Sequence, residues 1–164
     1  RGHDLASFLD ALQRTVGRGI HICVHIILGL PGESREDMVE TARLLAALPI
    51  DGIKIHLLLA LEGTEAGRLY REGRLFMMTK EEYVETVADI LELLPPRVVI
   101  QRLTTDGYRD IFLAPEWAKN KLAVLNAIDA EMERRNTVQG AAYAAPDQER
   151  CKEPDFEEEG MKDA

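Results

Sequence analysis

The chain has 164 residues, a formal net charge of −9, and 46% apolar but only 5% aromatic residues, the composition of one globular domain with a real core. Its acidic balance supplies no basic stripe for neutralising phosphates, which excludes a non-specific nucleic-acid binder. The longest apolar run, Ile22 to Leu30, is broken by His25 and is too short to span a bilayer.

No signal or transit segment is read, and the opening at Arg1, straight into a helical pattern, points to a missing N-terminus. Asp4 can cap a helix whose apolar positions Leu5, Phe8, Leu9, Leu12 and Val16 fall at helical spacing, with Gly17 and Gly19 as stop signals. Ile20 to Gly29 is a nearly continuous β-branched and apolar run, the pattern of a strand buried on both faces in a parallel sheet. Leu30-Pro31-Gly32-Glu33 makes a turn, and Ser34 with Asp37 resembles a capping box opening a helix that carries Met38, Ala42, Leu45 and Leu48. Ile53 to Leu61 reads as a second buried strand, followed after Gly63-Thr64 by a short helical segment to Gly73. Thr79 and Glu82 form another capping box, and Pro95-Pro96 end the helix it opens. Val98 to Leu103 is a third strand, and a final helix runs from Pro115 to Arg135. From Ala141 onward eight acids face three bases, so the sequence predicts a disordered, solvated acidic tail over 141–164.

Helices and buried strands that alternate this strictly imply right-handed crossovers and a parallel α/β sheet. Three strands close nothing. They fit the C-terminal half of a partial (β/α) TIM-like barrel, residues 1–95, with a small α/β extension over 96–140. The strand beginning at Ile20 is then expected to present an unpaired edge that invites self-association.

Ligands of such sheets bind at the C-terminal strand ends. Those ends are Leu28 to Glu33, Leu58 to Thr64, and Leu103-Thr104-Thr105-Asp106-Gly107. The glycines of Gly29-Leu30-Pro31-Gly32 let backbone pass close to a ligand, although any strand-to-helix turn uses glycine. His25 and His56 lie inside buried strands, with His25, Ile27 and Gly29 sharing one side. A polar group there either finds a core partner or lines a cavity. Two histidines alone make no metal site. Cys23 and Cys151 have neither metal-ligand spacing nor a disulfide framework; Cys23 reads as a small core residue, and the cytoplasm is the natural compartment. Trp117 reads as a packing anchor, and Arg102 with Asp106 as either a substrate-orienting pair or a surface salt bridge.

Arg1-Gly2-His3-Asp4, then Val24 to Glu33, Asp51-Gly52-Ile53-Lys54-Ile55-His56, Gly63-Thr64, Tyr83, Pro95-Pro96, Ile100 to Leu103, Ala114-Pro115-Glu116-Trp117 and Thr137 to Gly140 together resemble radical S-adenosylmethionine (SAM) proteins. The resemblance is to bacterial members related to the elongator catalytic subunit. It implies a barrel that binds SAM and, through three cysteines near its first strand, a [4Fe-4S] cluster; reduction by a flavodoxin or ferredoxin then cleaves SAM to a 5′-deoxyadenosyl radical. The cluster cysteines would lie upstream of Arg1, so the cluster belongs to the full-length protein, the chain holds no metal of its own, and its partner is the missing N-terminal half of its barrel. By the same resemblance Arg1 holds the methionyl carboxylate, His25 faces SAM, Ile27 with Gly29, Leu30, Pro31 and Gly32 packs on adenine, and the stretch around His56 and Leu58 also touches adenine. Leu57-Leu58-Leu59-Ala60 departs from relatives that carry further polar residues there, and nothing resembles an acetyltransferase domain. RNA-modifying relatives point by analogy to tRNA as substrate. Two rivals stand beside this reading. One is a non-catalytic α/β module binding a nucleotide or anion at Gly29 to Ser34. The other is an aldolase-type lyase, which would want a Schiff-base lysine at a strand end, whereas Lys54 lies mid-strand.

Overall fold

A computed structural model describes residues 4–105 and 109–145. Arg1, Asp106, Gly107, Cys151 and the acidic residues beyond 145 lie outside the described residues. The local signals place the helices closely. Helix α1 spans Leu5–Thr15, and its cap residue Asp4 accepts the Ser7 amide at 2.9 Å. Helix α2 spans Arg35–Ala46 behind a complete capping box, in which the Ser34 amide donates to Asp37 at 2.8 Å and the Asp37 amide donates to the Ser34 hydroxyl at 3.2 Å. Helix α3 is Glu65–Arg71, capped by Thr64. Helix α4 is Lys80–Leu93, opened by the Thr79/Glu82 box.

Strands β1 (Cys23–Leu28), β2 (Gly52–Leu57) and β4 (Val99–Arg102) form a parallel sheet in the order β1-β2-β4. The expected run from Ile20 is shorter than predicted, with Ile20 itself exposed ahead of the ladder. The expected strand Ile53 to Leu61 is two strands. Strand β3 (Ala60–Leu61) leaves the sheet to pair antiparallel with β5 (Phe112–Ala114), a second small sheet that the sequence reading did not contain. The final helix also starts later than Pro115. A cis Ala114–Pro115 bond leads into a single 3-10 turn, Glu116–Lys119, and helix α5 (Lys121–Arg134) begins behind Asn120, whose side chain accepts the Ala123 amide at 3.1 Å.

The core sits on one side of the three-stranded sheet. Val24, Ile26 and Leu28 of β1 and Ile53, Ile55 and Leu57 of β2 are buried there against Met38, Ala42 and Leu45 of α2 and Val84, Val87 and Leu91 of α4. Val124 and Ile128 of α5 join the same cluster, so residues on both sides of Pro95-Pro96 share one core. The opposite face carries His25 and Ile27 of β1, Lys54 and His56 of β2, and Gln101 of β4. It is not buried as the apolar runs suggested: His25 and Gln101 are exposed and Ile27 is 40% accessible. Among the described residues no helix covers that face, and β1 has no strand beyond it.

Two ties fasten α4. Arg135 bridges Asp89 and Glu131, each at 2.7 Å, and donates to the Glu85 carbonyl at 3.2 Å, while Arg35 reaches Asp89 and Glu85 from α2. Beyond α5 the chain crosses the end of α4. The Gly140 amide donates to the Leu91 carbonyl at 3.0 Å, the Ala142 amide to Glu92 at 2.9 Å, and the Gln139 side chain to the carbonyls of Pro95 and Val98, both at 2.8 Å. Hydrogen bonding therefore continues past residue 140, where the acidic tail was expected to begin.

Candidate functional site

The C-terminal end of β1 is shaped by its glycines. Gly29 has φ +81°, and an added Cβ would meet Met78 Cγ and Sδ at 3.0 Å. Leu30 to Glu33 is a four-residue turn closed by the Glu33 amide on the Leu30 carbonyl at 3.1 Å, with Pro31 second and Gly32, at φ +85°, third. That is the chemistry of a type II turn, in which only the third position needs positive φ. The turn delivers the chain to the capped start of α2. Beside it a cleft of about 330 Å³ is lined by Gly29, Pro31, Gly32, Arg74, Phe76 and Met78. Phe76 is 88% exposed.

Strand β2 ends against the same rim. The Leu58 amide donates to the Leu28 carbonyl at 2.9 Å, and the Thr105 hydroxyl accepts the Leu57 amide at 2.6 Å while donating to the Leu57 carbonyl at 3.1 Å. Thr105 thus takes over the pairing that β4 has ceased to give. On the floor, the register sets His25 beside Lys54 and Ile27 beside His56, and the two imidazoles stack with centroids 5.3 Å apart. Nε2 of His56 is buried without a hydrogen-bond partner among the described residues. Burial, followed by His25, Arg102 and Lys54, pushes the His56 pKa below its ordinary value near 6.5, so the ring is held neutral.

Of the residues singled out in the sequence, His25, Ile27 and His56 share the open face, Gly29, Leu30, Pro31 and Gly32 form its rim, and Leu58 lies half-buried at the end of β2. Arg1 and the Asp106 partner proposed for Arg102 lie outside the described residues. Cys23 is half-buried in β1. Trp117 anchors as expected: its indole donates to the Met78 carbonyl at 3.1 Å and its ring lies 5.4 Å from that of Tyr83. Met78 and Phe76 were missed, and Thr105, named within the third strand end, was not expected to bond to Leu57. The only signal in the chain for the first two is the Leu75-Phe76-Met77-Met78 run between Gly73 and the Thr79 cap, too short for a period. Among the described residues no helix is long and apolar enough to cross a membrane.

The family described as Radical_SAM C-terminal domain matches residues 50–134, just over half of the chain. "Uncharacterized protein YtqA" of Bacillus subtilis is 40% identical over 91% of this chain and 46% of its own length. The tRNA uridine(34) acetyltransferase of Dehalococcoides mccartyi is 30% identical over 65% of this chain and 24% of its own. Among solved structures, the archaeal Methanocaldococcus infernus Elp3 with an N-terminal deletion has the same fold, with a TM-score of 0.73 at 21% identity over 85% of this chain and 33% of that one. The chain therefore spans about half the length of YtqA and a smaller part of the acetyltransferase and of Elp3.

Proposed function

The chain belongs to the radical SAM C-terminal domain family, on its elongator-related side, and from that premise we propose that it forms the C-terminal half of the SAM-binding barrel of a radical SAM enzyme. The observation that carries the reading is the one-sided sheet. Its helices cover one face, and the bare face carries His25, Ile27 and His56 beneath a glycine rim, as a barrel lumen requires.

The residues present suit SAM. The positive φ of Gly29 and Gly32 brings backbone, without a Cβ, to the mouth of the site. Ile27 and Leu30, both partly exposed, offer apolar surface to an adenine. The unpartnered Nε2 of His56 offers one hydrogen bond from a neutral ring, and His25 stacks against it. Gly29, Leu30, Pro31 and Gly32 with Leu58 would hold the nucleoside, and Arg1 the methionyl carboxylate. When bound with its cluster, SAM supplies a source of carbon-centred radicals for hydrogen abstraction. This chain's part is to bind and orient it and to keep water from the apolar side of the pocket.

The cluster does not fit this chain, whose two cysteines cannot furnish three thiolates. In this reading the thiolates come from a preceding half-barrel, which would also cover the free edge of β1, and a flavodoxin or ferredoxin supplies the electron in the cytoplasm. The similarity to a tRNA uridine(34) acetyltransferase supports tRNA as the substrate class.

The test is anaerobic reconstitution of the polypeptide that joins this chain to cluster cysteines. Gly29→Val and Gly32→Val are expected to abolish SAM binding and cleavage while leaving the cluster absorbance unchanged. SAM cleavage that survives both substitutions would refute the assigned site, and a reconstituted protein that neither binds iron–sulfur nor cleaves SAM would refute the function.

A further inference from the structure

Phe76 lines the cleft beside Gly29 to Gly32 with its ring turned almost wholly to solvent, while its neighbours are fastened. Leu75 before it is buried, and the Arg74 amide donates to the Leu69 carbonyl at 2.9 Å. Two residues after it, the Met78 carbonyl accepts the Trp117 indole at 3.1 Å. The ring is therefore held outward between anchored neighbours. A lone exposed apolar residue is ordinary, but this one comes with other groups around one cleft. Arg74 and Glu33 line it too. The Arg74 guanidinium spends a single nitrogen on Glu72, at 3.2 Å, and keeps further N–H donors for a ligand. None of Glu33, Arg74 and Phe76 is among the residues assigned to SAM.

We infer that this cleft seats an unpaired nucleobase of the RNA substrate, with the exposed face of Phe76 as its stacking platform. The inference deepens the radical SAM reading and rests on it for the choice of RNA. A base that is to be modified must leave its stack, and an exposed aromatic ring replaces the stacking it gives up. The cleft holds about 330 Å³, the small end of ligand sites, which suits one nucleoside better than a folded segment of protein. Its edge is the Leu30 to Glu33 turn, which also bounds the site assigned to SAM, so a base held here lies next to the group that must reach it. Arg74 can meet a phosphate flanking the base, and the Glu33 carboxylate can accept an N–H from the base edge.

The experiment uses the reconstituted polypeptide that joins this chain to cluster cysteines, and follows the fluorescence anisotropy of a dye-labelled transfer RNA. Phe76→Ala should weaken RNA binding about tenfold or more, the worth of one stacked base. Phe76→Leu should bind as weakly as Phe76→Ala, because it keeps apolar bulk without a ring, whereas Phe76→Tyr should bind as wild type does. The slope of affinity against salt should be the same in all four proteins, since no phosphate contact is removed. Wild-type protein without saturable RNA binding would overturn the inference, as would Phe76→Ala binding RNA like wild type. Phe76→Leu restoring the affinity would also overturn it, by showing a merely apolar contact. So would a Phe76→Ala protein that loses cluster or melts lower, which would mean that the preceding half-barrel covers the ring. SAM affinity is measured separately, without RNA. Wild type that binds SAM, with RNA affinity indifferent to Phe76, sinks this inference alone; RNA affinity that depends on the ring in a protein that binds no SAM sinks the SAM site alone.

Discussion

Gly67 is the glycine with the least room. It is buried in α3 with ordinary helical geometry, yet an ideal Cβ there would lie 2.0 Å from the Leu61 carbonyl oxygen and 2.9 Å from its carbon. A carbon–oxygen contact settles near 3.3 Å, so Gly67→Ala must push α3 off β3 by about 1.3 Å. The obstacle is backbone and cannot rotate away, which places the cost at the upper end of overpacking, about 3 kcal/mol. Gly63→Ala is the control. Its φ is +75° with nothing within 4 Å, so it should lose only the backbone preference, about 1 kcal/mol. The assay is native-state hydrogen exchange of two amides, Glu62, which donates to Ile111 at 2.6 Å, and Arg68, which donates to Thr64 at 3.0 Å. Gly67→Ala should speed their exchange by about a hundredfold, while Gly63→Ala stays within about tenfold. Equal effects of the two substitutions would refute the close-approach reasoning.

The depressed His56 pKa makes stability fall with acid. The unfolded ring takes a proton as pH drops through 6.5 and the folded ring resists, so this contribution is intact above 6.5 and is lost as pH falls through the lower folded value. Denaturant melts at pH 7.5 and 5.5 should show that loss in the wild type, and a smaller one in His56→Asn. Tyr83→Phe removes the hydroxyl that donates to the Leu103 carbonyl at 3.0 Å in a residue only 1% exposed, and should cost about 1.5 kcal/mol in a urea melt. Arg135→Met strips Asp89 and Glu131 of a shared partner that is 18% exposed. A cost of about 2 kcal/mol is expected, between the surface and buried limits, and Arg35→Met should cost less because its pairs are more exposed.

Where a signal is local, the sequence carried it. Asp4, Ser34 with Asp37, and Thr79 with Glu82 each announce a helix start by bonds spanning three residues, and each cap is present. Pro31-Gly32 fixes its turn in the same way. Strands β3 and β5 were illegible because two and three residues hold no period, and they exist only by pairing with each other across some fifty residues of chain. The one-sided sheet was hidden for another reason. Ile27 and Leu30 are apolar like core residues, so their run reads as burial on both faces although they lie on the open side. The histidines were visible as types, but their stacking depends on register between strands, which no single strand encodes.

The segment that crosses the end of α4 bears on the order of assembly. Helix α4 has no basic residue in its last turn, and its carbonyls at Leu91 and Glu92 are met by Gly140 and Ala142, nearly fifty positions later. The start of this helix is written beside it, while its finish waits for the far end of the chain. During synthesis the first turns of α4 can form as soon as they emerge, but the last turn stays frayed until α5 and the following strap have been made and docked. The closing of this core is thus a late event, set by the residues after Arg135 rather than by those that build the helix.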